Sequence, residues 1–337
     1  MCYNCFCSIV PPEILKELAK RGSQASKKTL NDTFRVQEKR NHILNQLLVE
    51  KIAVGNGDRF IYDSMNQNVQ RLNLILAEGD PASNDQTANS AYQLSGYVRD
   101  YYRQTFNLNS INGQGMSIIS NIHFQQSYNN AFWDGDEMTY GDGDLVEFKN
   151  FASAMDVVAH ELTHGITQFT ANLEYYSQAG ALNEHFSDAF GTIIKQKYLN
   201  QDMQSADWLI GDQVVTEKFP GKALRSMKEP GTANEYDTQP AHMDHYYSGP
   251  GDNQGVHQNS GIPNKAFYLA CQGIGIDDCA KIWYQTLHAL WRNTNFQEAL
   301  KIFIQSAEML SQSGDVSSSA KEVIVDSFGS VGIVQTA

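Results

Sequence analysis

The stretch His160-Glu161-Leu162-Thr163-His164 sets two imidazoles four residues apart, with a carboxylate beside the first. On an α-helix those rings share a face and can aim at one point. Two nitrogens at that spacing suit a tetrahedral Zn²⁺ at about 2.0–2.1 Å. Glu161, one step around the helix, stands where a general base for a metal-activated water belongs. Three fixed residues also arise by chance on surface helices, so the motif needs support. Gly180–Asp188 supplies it: Glu184 lies twenty residues beyond His164 and would complete a His₂Glu set. The fourth position would be left to water, as a catalytic zinc requires. Asp188, one turn after Glu184 on the same face, can accept the second ring N–H of His160 and fix its tautomer.

The Asn-Glu-x-x-Ser-Asp element of Asn183–Asp188, at this offset from His-Glu-x-x-His, resembles that of the thermolysin-type metallopeptidases. The resemblance makes His160, His164 and Glu184 the zinc ligands, with Asn183 and Asp188 behind them. It assigns oxyanion stabilisation to His257, within Asp252–Gly261, with Asp252 orienting the ring. Tyr175, eleven residues after His164, matches the phenol that shares the oxyanion, and Tyr176 is the lesser candidate. Asn130-Ala131-Phe132-Trp133 matches the edge strand along the cleft, where Asn130 and Ala131 would hold an extended substrate backbone. Phe132 and Trp133 read as core. Arg225 would hydrogen-bond a substrate carbonyl through its planar fork. Phe148, Val157 and Leu224 match the apolar pocket for a large side chain on the primed side of the scissile bond. Asp156, Asp207 and Asp212 match calcium ligands, but Lys195 stands where the pattern has a bridging glutamate. Leu209 replaces another ligand, and Lys222 occupies an acidic position of a further calcium loop. An ammonium among acids can neutralise them as a cation would, so calcium binding is expected to be reduced. His185 lies about 100° around the helix from Glu184 and is not expected to be a ligand.

These residues need a scaffold, and 337 residues suffice for about two domains with a sizeable core. Twenty-five basic against 38 acidic residues give a net charge of −13, which argues against nucleic acid as a partner. No run approaches the ~18 apolar residues of a membrane span. The first residues lack the basic and apolar regions of a secretory signal, so a cytoplasmic product is expected, with export by another route left open. Cys2, Cys5, Cys7, Cys271 and Cys279 make an odd count that favours reduced thiols.

Residues 1–50 read as a propeptide-like segment, similar to that of the protealysin-like branch of the family. Pro11-Pro12 precede a short amphipathic helix, Glu13–Lys20, stopped near Gly22. A polar linker at Ser23–Thr29 then leads to a second helix through Ile43, Leu47 and Leu48. Residues 51–171 are expected to form the first catalytic lobe, with strand patterns at Met116–Ile119 and Asn121–Phe124 and a helix over Asn89–Arg103. This lobe ends in the zinc helix, opened by a capping box at Ser153-x-x-Asp156. Residues 172–337 read as mainly helical, with helices at Ala266–Cys271, Ala280–Trp291, Phe296–Ser311 and Ala320–Phe328. The fold class is therefore α+β, a thermolysin-like pair of lobes with the zinc helix between them. The implied activity is a zinc-dependent neutral endopeptidase made as a precursor restrained by its own N-terminal segment. A zinc aminopeptidase would need a Gly-x-Met-Glu-Asn element, absent here. A catalytically inactive peptide-binding protein of the same fold is the rival from another class, and the intact Glu161 and His257 speak against it.

Overall fold

The computed structural model describes residues 7–33 and 55–335. Its β-rich half is built on a six-stranded sheet, ordered β1-β5-β6-β4-β2-β3. The strands are β1 (Cys7–Ser8), β2 (Arg59–Asp63), β3 (Asn73–Ala77), β4 (Ile118–Ile122), β5 (Ala131–Trp133) and β6 (Met138–Tyr140). The central pairs β2–β4 and β4–β6 are parallel, while β1–β5, β5–β6 and β2–β3 are antiparallel. The two expected strand segments around Ser120 are thus one strand, because Ser120 and Asn121 pair continuously with β2 and β6.

Two short helices lie between β1 and β2 in the chain, α1 (Pro12–Lys20) and α2 (24–33). Proline is tolerated in the first turn of α1, where its missing N–H would find no partner. The expected linker at Ser23–Thr29 is helical from Gln24: Ser23 caps the turn through its Oγ, which accepts from the Ser26 N–H. Ile43, Leu47, Leu48, Cys2 and Cys5 lie outside the described residues. Helix α3 (Gln86–Phe106) is capped by Asp85, which accepts from the Thr87 and Ala88 N–H groups, and stops at left-handed Asn107.

Helices α4 (Met155–Phe169) and α5 (Ser177–Tyr198) form the floor between the halves. Every residue of α4 from Met155 to Thr167 is buried, so the helix is polar where the chemistry is and apolar elsewhere. Gly165 lets β5 and its surroundings approach, since a Cβ there would lie 2.6 Å from Ile111 Cγ2 and 3.1 Å from Trp133. The expected capping box is not formed. Ala154 is the N-cap, and Ser153 Oγ instead donates to the carbonyl of Asn150, which opens the preceding turn. The remaining helices are α6 (Asp252–Asn259), α7 (Gly261–Ile274), α8 (Ile276–Leu287), α9 (Phe296–Gln312) and α10 (Ala320–Gly329). Trp291 falls beyond α8, which ends at Leu287 with its carbonyls taken up by a tight turn through Ala289 and Leu290. Among the described residues, no helix is long and apolar enough to cross a membrane.

Candidate active site

Helix α4 presents His160 and His164 to the same point, with their Nε2 atoms 3.0 Å apart. Helix α5 brings Glu184 against both, at 3.4 Å from each Nε2. One potential ligand atom from each of the three residues lies within 4.8 Å of the others. Each ring is pinned from behind. His160 Nδ1 donates to Asp188 Oδ1 at 2.9 Å, and His164 Nδ1 donates to Asn183 Oδ1 at 2.8 Å. Ser187 Oγ lies 3.0 Å from His164 Nδ1 and was not anticipated. The sequence held a signal for it: Ser187 is one turn after Asn183, on the face that meets α4.

In the tautomer a metal requires, with the proton of each ring on Nδ1, both Nε2 lone pairs face inward. Two buried carboxylate oxygens there, Glu184 Oε2 and Glu161 Oε1, make no hydrogen bond among the described residues. Facing lone pairs and orphaned carboxylate oxygens are costly without a cation between them. The donor set of two imidazoles and a carboxylate suits zinc and keeps a coordination position open. The residues present therefore fit the metal.

Burial pushes the Glu161 carboxyl up to about 8, although its Oε2 accepts the Trp133 N–H at 3.0 Å. That N–H comes from β5, so the strand that edges the cleft also fixes the Glu161 carboxylate. Burial, with the fields of His160 and His257, drops His164 to about 3 against the opposing pull of Glu184. Burial also opposes a charge on His160, but Asp188 and Glu184 outweigh it and raise that ring to about 9. Burial would raise Glu184 and Asp188, and the cationic groups around them lower both instead. For Asp188 these include Arg225, which grips both carboxylate oxygens at 3.0 and 2.8 Å. Asn264 Nδ2 adds a bond at 2.9 Å, a partner no local motif announced.

The opposite wall carries Tyr175 and His257. Tyr175 donates its hydroxyl to Glu184 Oε1 and lies 3.2 Å from His257 Nε2. Tyr176 is half exposed, whereas Tyr175 is buried. His257 is held by Asp252, which takes its ring Nδ1 at 2.6 Å and its backbone N–H at 2.8 Å. This works because Asp252, Asn253, Gln254 and Gly255 all have positive φ, a left-handed turn that folds the carboxylate back over the ring. Non-glycine residues in that region are strained, and such strain gathers at functional sites. The Gln239 amide also donates to the His257 carbonyl at 2.7 Å, a support the sequence did not reveal.

The N-terminal segment runs through this cleft. Strand β1 pairs antiparallel with β5, Cys7 opposite Trp133 and Ser8 opposite Phe132. The Ile9 N–H donates to the Ala131 carbonyl at 3.2 Å, and Arg225 Nη1 donates to the Ile9 carbonyl at 2.7 Å. Asn130 reads Val10 with both ends of its amide: Oδ1 accepts the N–H at 2.9 Å and Nδ2 donates to the carbonyl at 3.3 Å. Phe148, Val157 and Leu224 are buried in the apolar cluster that also contains Ile9 and Val10. Phe132 and Trp133 are core residues, as expected.

Lys195 sits among the acids of the calcium-like cluster, its Nζ 2.5 Å from Asp212, 3.2 Å from Asp207 and 3.6 Å from Asp156. The Leu209 carbonyl accepts from it as well, at 3.1 Å. His185 is spent on structure: Nδ1 donates to Asn264 and Nε2 accepts from the Trp283 indole.

A β-rich half and a helical half, joined by a buried His-Glu-x-x-His helix with a carboxylate ligand from the next helix, define a zinc metalloendopeptidase. Family comparison agrees. Residues 24–168 match the thermolysin metallopeptidase catalytic domain and residues 171–333 its α-helical domain. The chain belongs to the thermolysin family of metallopeptidases. It is 40% identical over 313 residues to an extracellular metalloprotease of Pectobacterium carotovorum subsp. carotovorum, covering 89% of this chain and 90% of that one. Thermolysin of Alicyclobacillus acidocaldarius subsp. acidocaldarius is 40% identical over 290 residues, 81% of this chain but 50% of the relative. Among solved structures, the precursor of protealysin from Serratia proteamaculans aligns with a TM-score of 0.85 and 36% identity, over 97% of this chain and 100% of that one.

Proposed function

We propose that this precursor hydrolyses peptide bonds with Glu161 as the base, on substrates that add as an extended strand to β5. The observation that carries the reading is the convergence of His160, His164 and Glu184 with Glu161 beside them, all four buried. His160, His164 and Glu184 would hold the zinc, which when bound would supply Lewis acidity towards a carbonyl and a water. The chain's own residues do the rest. Glu161, held by the Trp133 N–H, takes the proton of the attacking water and passes it to the leaving amine. His257 and Tyr175 stand ready to donate to the oxyanion. Arg225, Asn130 and Ala131 hold the backbone on the primed side, and Phe148, Val157 and Leu224 favour a large apolar side chain there.

Residues 7–33 act as the inhibitor of the same site, and supporting this is their use of every one of those backbone partners. The restraint is steric. Supporting this, Cys7 packs against Tyr175 and Val256, and Ile9 and Val10 share the apolar cluster of Phe148, Val157 and Leu224. The catalytic part is assigned to residues 51–337, divided near residue 171. Lys195 takes the place of calcium beside Asp156, Asp207 and Asp212. The deciding experiment is Glu161→Gln in the matured enzyme. It should keep one zinc per chain and lose hydrolysis of a peptide substrate by several orders of magnitude; near-normal turnover would sink the mechanism.

A further inference from the structure

The hydrogen bonds in the cleft single out one peptide unit. The Ser8 carbonyl oxygen lies 2.9 Å from His257 Nε2, the ring that Tyr175 OH reaches at 3.2 Å. The nitrogen of the same peptide unit, that of Ile9, donates to the Ala131 carbonyl at 3.2 Å. The next carbonyl, of Ile9, is taken by Arg225, and the next residue, Val10, by Asn130. An inhibitory segment need only cover the metal side of the cleft. This one also aligns a carbonyl with the oxyanion donors and runs antiparallel along the edge strand.

Resting on the peptidase reading above, we infer that Ser8–Ile9 is a self-cleavage site, cut within the same chain before the segment leaves the cleft. The step is ordinary hydrolysis. Water adds its hydroxyl to the Ser8 carbonyl carbon, the carbon–nitrogen bond breaks, and the Ile9 nitrogen takes the proton to leave as an amine. Anchoring beyond the cut then makes the nick silent. On the Ser8 side, Cys7 and Ser8 pair with β5, and Cys7 packs against Tyr175 and Val256. On the Ile9 side, Ile9, Val10, Ile14, Leu15 and Leu18 are all buried. Arg21 pairs with Glu235 and lies over the Tyr236 ring, and Asn129 bonds Ser26 and Thr29. A chain beginning at Ile9 therefore stays seated on the primed side, and cutting precedes activation without causing it.

The test uses the full chain loaded with zinc, followed by intact-mass spectrometry at two concentrations tenfold apart. The expected result is loss of residues 1–8 with the same first-order rate at both, no such loss in Glu161→Gln, and little gain in hydrolysis of an added peptide. In the uncut Glu161→Gln chain, hydrogen exchange at the Ile9 and Val10 amides should be slowed at least 100-fold. Replacing Asn130 by Ala in that background should release Val10 more than Ile9. A Ser8–Ile9 bond that stays intact, a rate that scales with concentration, or unprotected Ile9 and Val10 amides would each overturn the inference. Trypsin-matured chain is assayed on the added peptide in parallel. Turnover there with an uncut Ser8–Ile9 bond removes this inference alone, whereas no turnover at all removes the peptidase reading with it.

Discussion

Replacing Lys195 by Ala tests whether an ammonium does the work of a metal in this fold. The cluster holds one positive and three negative groups, and the substitution leaves the three carboxylates alone. Asp156 suffers most, being fully buried, although the Val157 and Gly211 N–H groups donate to it at 2.9 and 2.8 Å. Burial opposes the Lys195 charge, yet the fields of Asp156, Asp212 and Asp207 exceed it and raise its pKa. Breaking a buried pair by removing one partner costs about 3–5 kcal/mol. The low end applies because the Asp207 and Asp212 side chains are 35% and 25% exposed and keep water. About 3 kcal/mol in a chain of this size corresponds to a fall in Tm of roughly 6–9 °C, at about 2–3 °C per kcal/mol. Calorimetry with and without millimolar calcium supplies the decisive comparison. In the wild type, calcium would approach an ammonium at close range, so Tm should move little. In Lys195→Ala the three carboxylates become a cation site, and calcium should restore several degrees by its linkage to the folded state. A wild-type Tm that rises strongly with calcium would refute the reasoning, as would a variant that calcium leaves untouched.

Glu184→Ala should release zinc at concentrations where the wild type retains it, and should abolish the dependence of Tm on zinc; tight zinc binding by that variant, measured by equilibrium dialysis, would remove Glu184 from the ligand set. His123 bridges Asp142 at 2.7 Å and Asp85 at 2.9 Å, and the hydrogen bond to Asp142, with that to Asp85, raises it to about 9. A folded pKa above the unfolded value of about 6.5 means stability present below pH 6.5 and lost as pH rises through 9. The stability gap between wild type and His123→Gln, read by thermal unfolding, should thus reach its full size, on the order of 2–3 kcal/mol, near pH 6 and close near pH 10; a gap constant with pH contradicts the bridge. Ile9→Asp would bury an unpaired carboxylate in the cleft, at a cost of several kcal/mol, and should raise hydrolysis of an added peptide by the uncleaved chain at least tenfold; unchanged low turnover would mean that the segment does not restrain the site.

What the sequence made readable follows from distance along the chain. His160, Glu161 and His164 share one helix, and the fixed geometry of that helix turns spacing directly into shared direction. Glu184, Asn183 and Asp188 were readable for the same reason once α5 was set against α4. The support from Trp133, Asn264 and Gln239 was not, because each arrives from an element whose placement depends on the whole fold. The left-handed turn at Asp252–Gly255 was hidden for a local reason: only Gly255 takes positive φ without steric cost, and a run of three side-chain-bearing residues there is not announced by their types. The Ser153 cap and the Ser23–Thr29 linker failed on competition. Serine has several backbone partners within reach, and composition alone does not say which one it takes.

The proposed restraint divides into two parts with different consequences. In the cleft, β1 contributes two residues of pairing, and Ile9 and Val10 add four backbone bonds. These are the bonds any extended peptide would make, so they confer register more than advantage over substrate. The advantage comes from α1 and α2, whose apolar face and polar anchors lie outside the cleft, and from the covalent tether. Tethered, the segment competes at an effective concentration of order millimolar, which ordinary substrates do not match. Once the chain beyond residue 33 is cut, the same contacts must act between separate molecules, and their occupancy falls with dilution. Activation should therefore depend on total enzyme concentration after the linker is cut, and not before. A matured sample diluted a hundredfold without removing the segment should gain specific activity over minutes to hours; constant specific activity across that dilution would show that the tether contributes nothing.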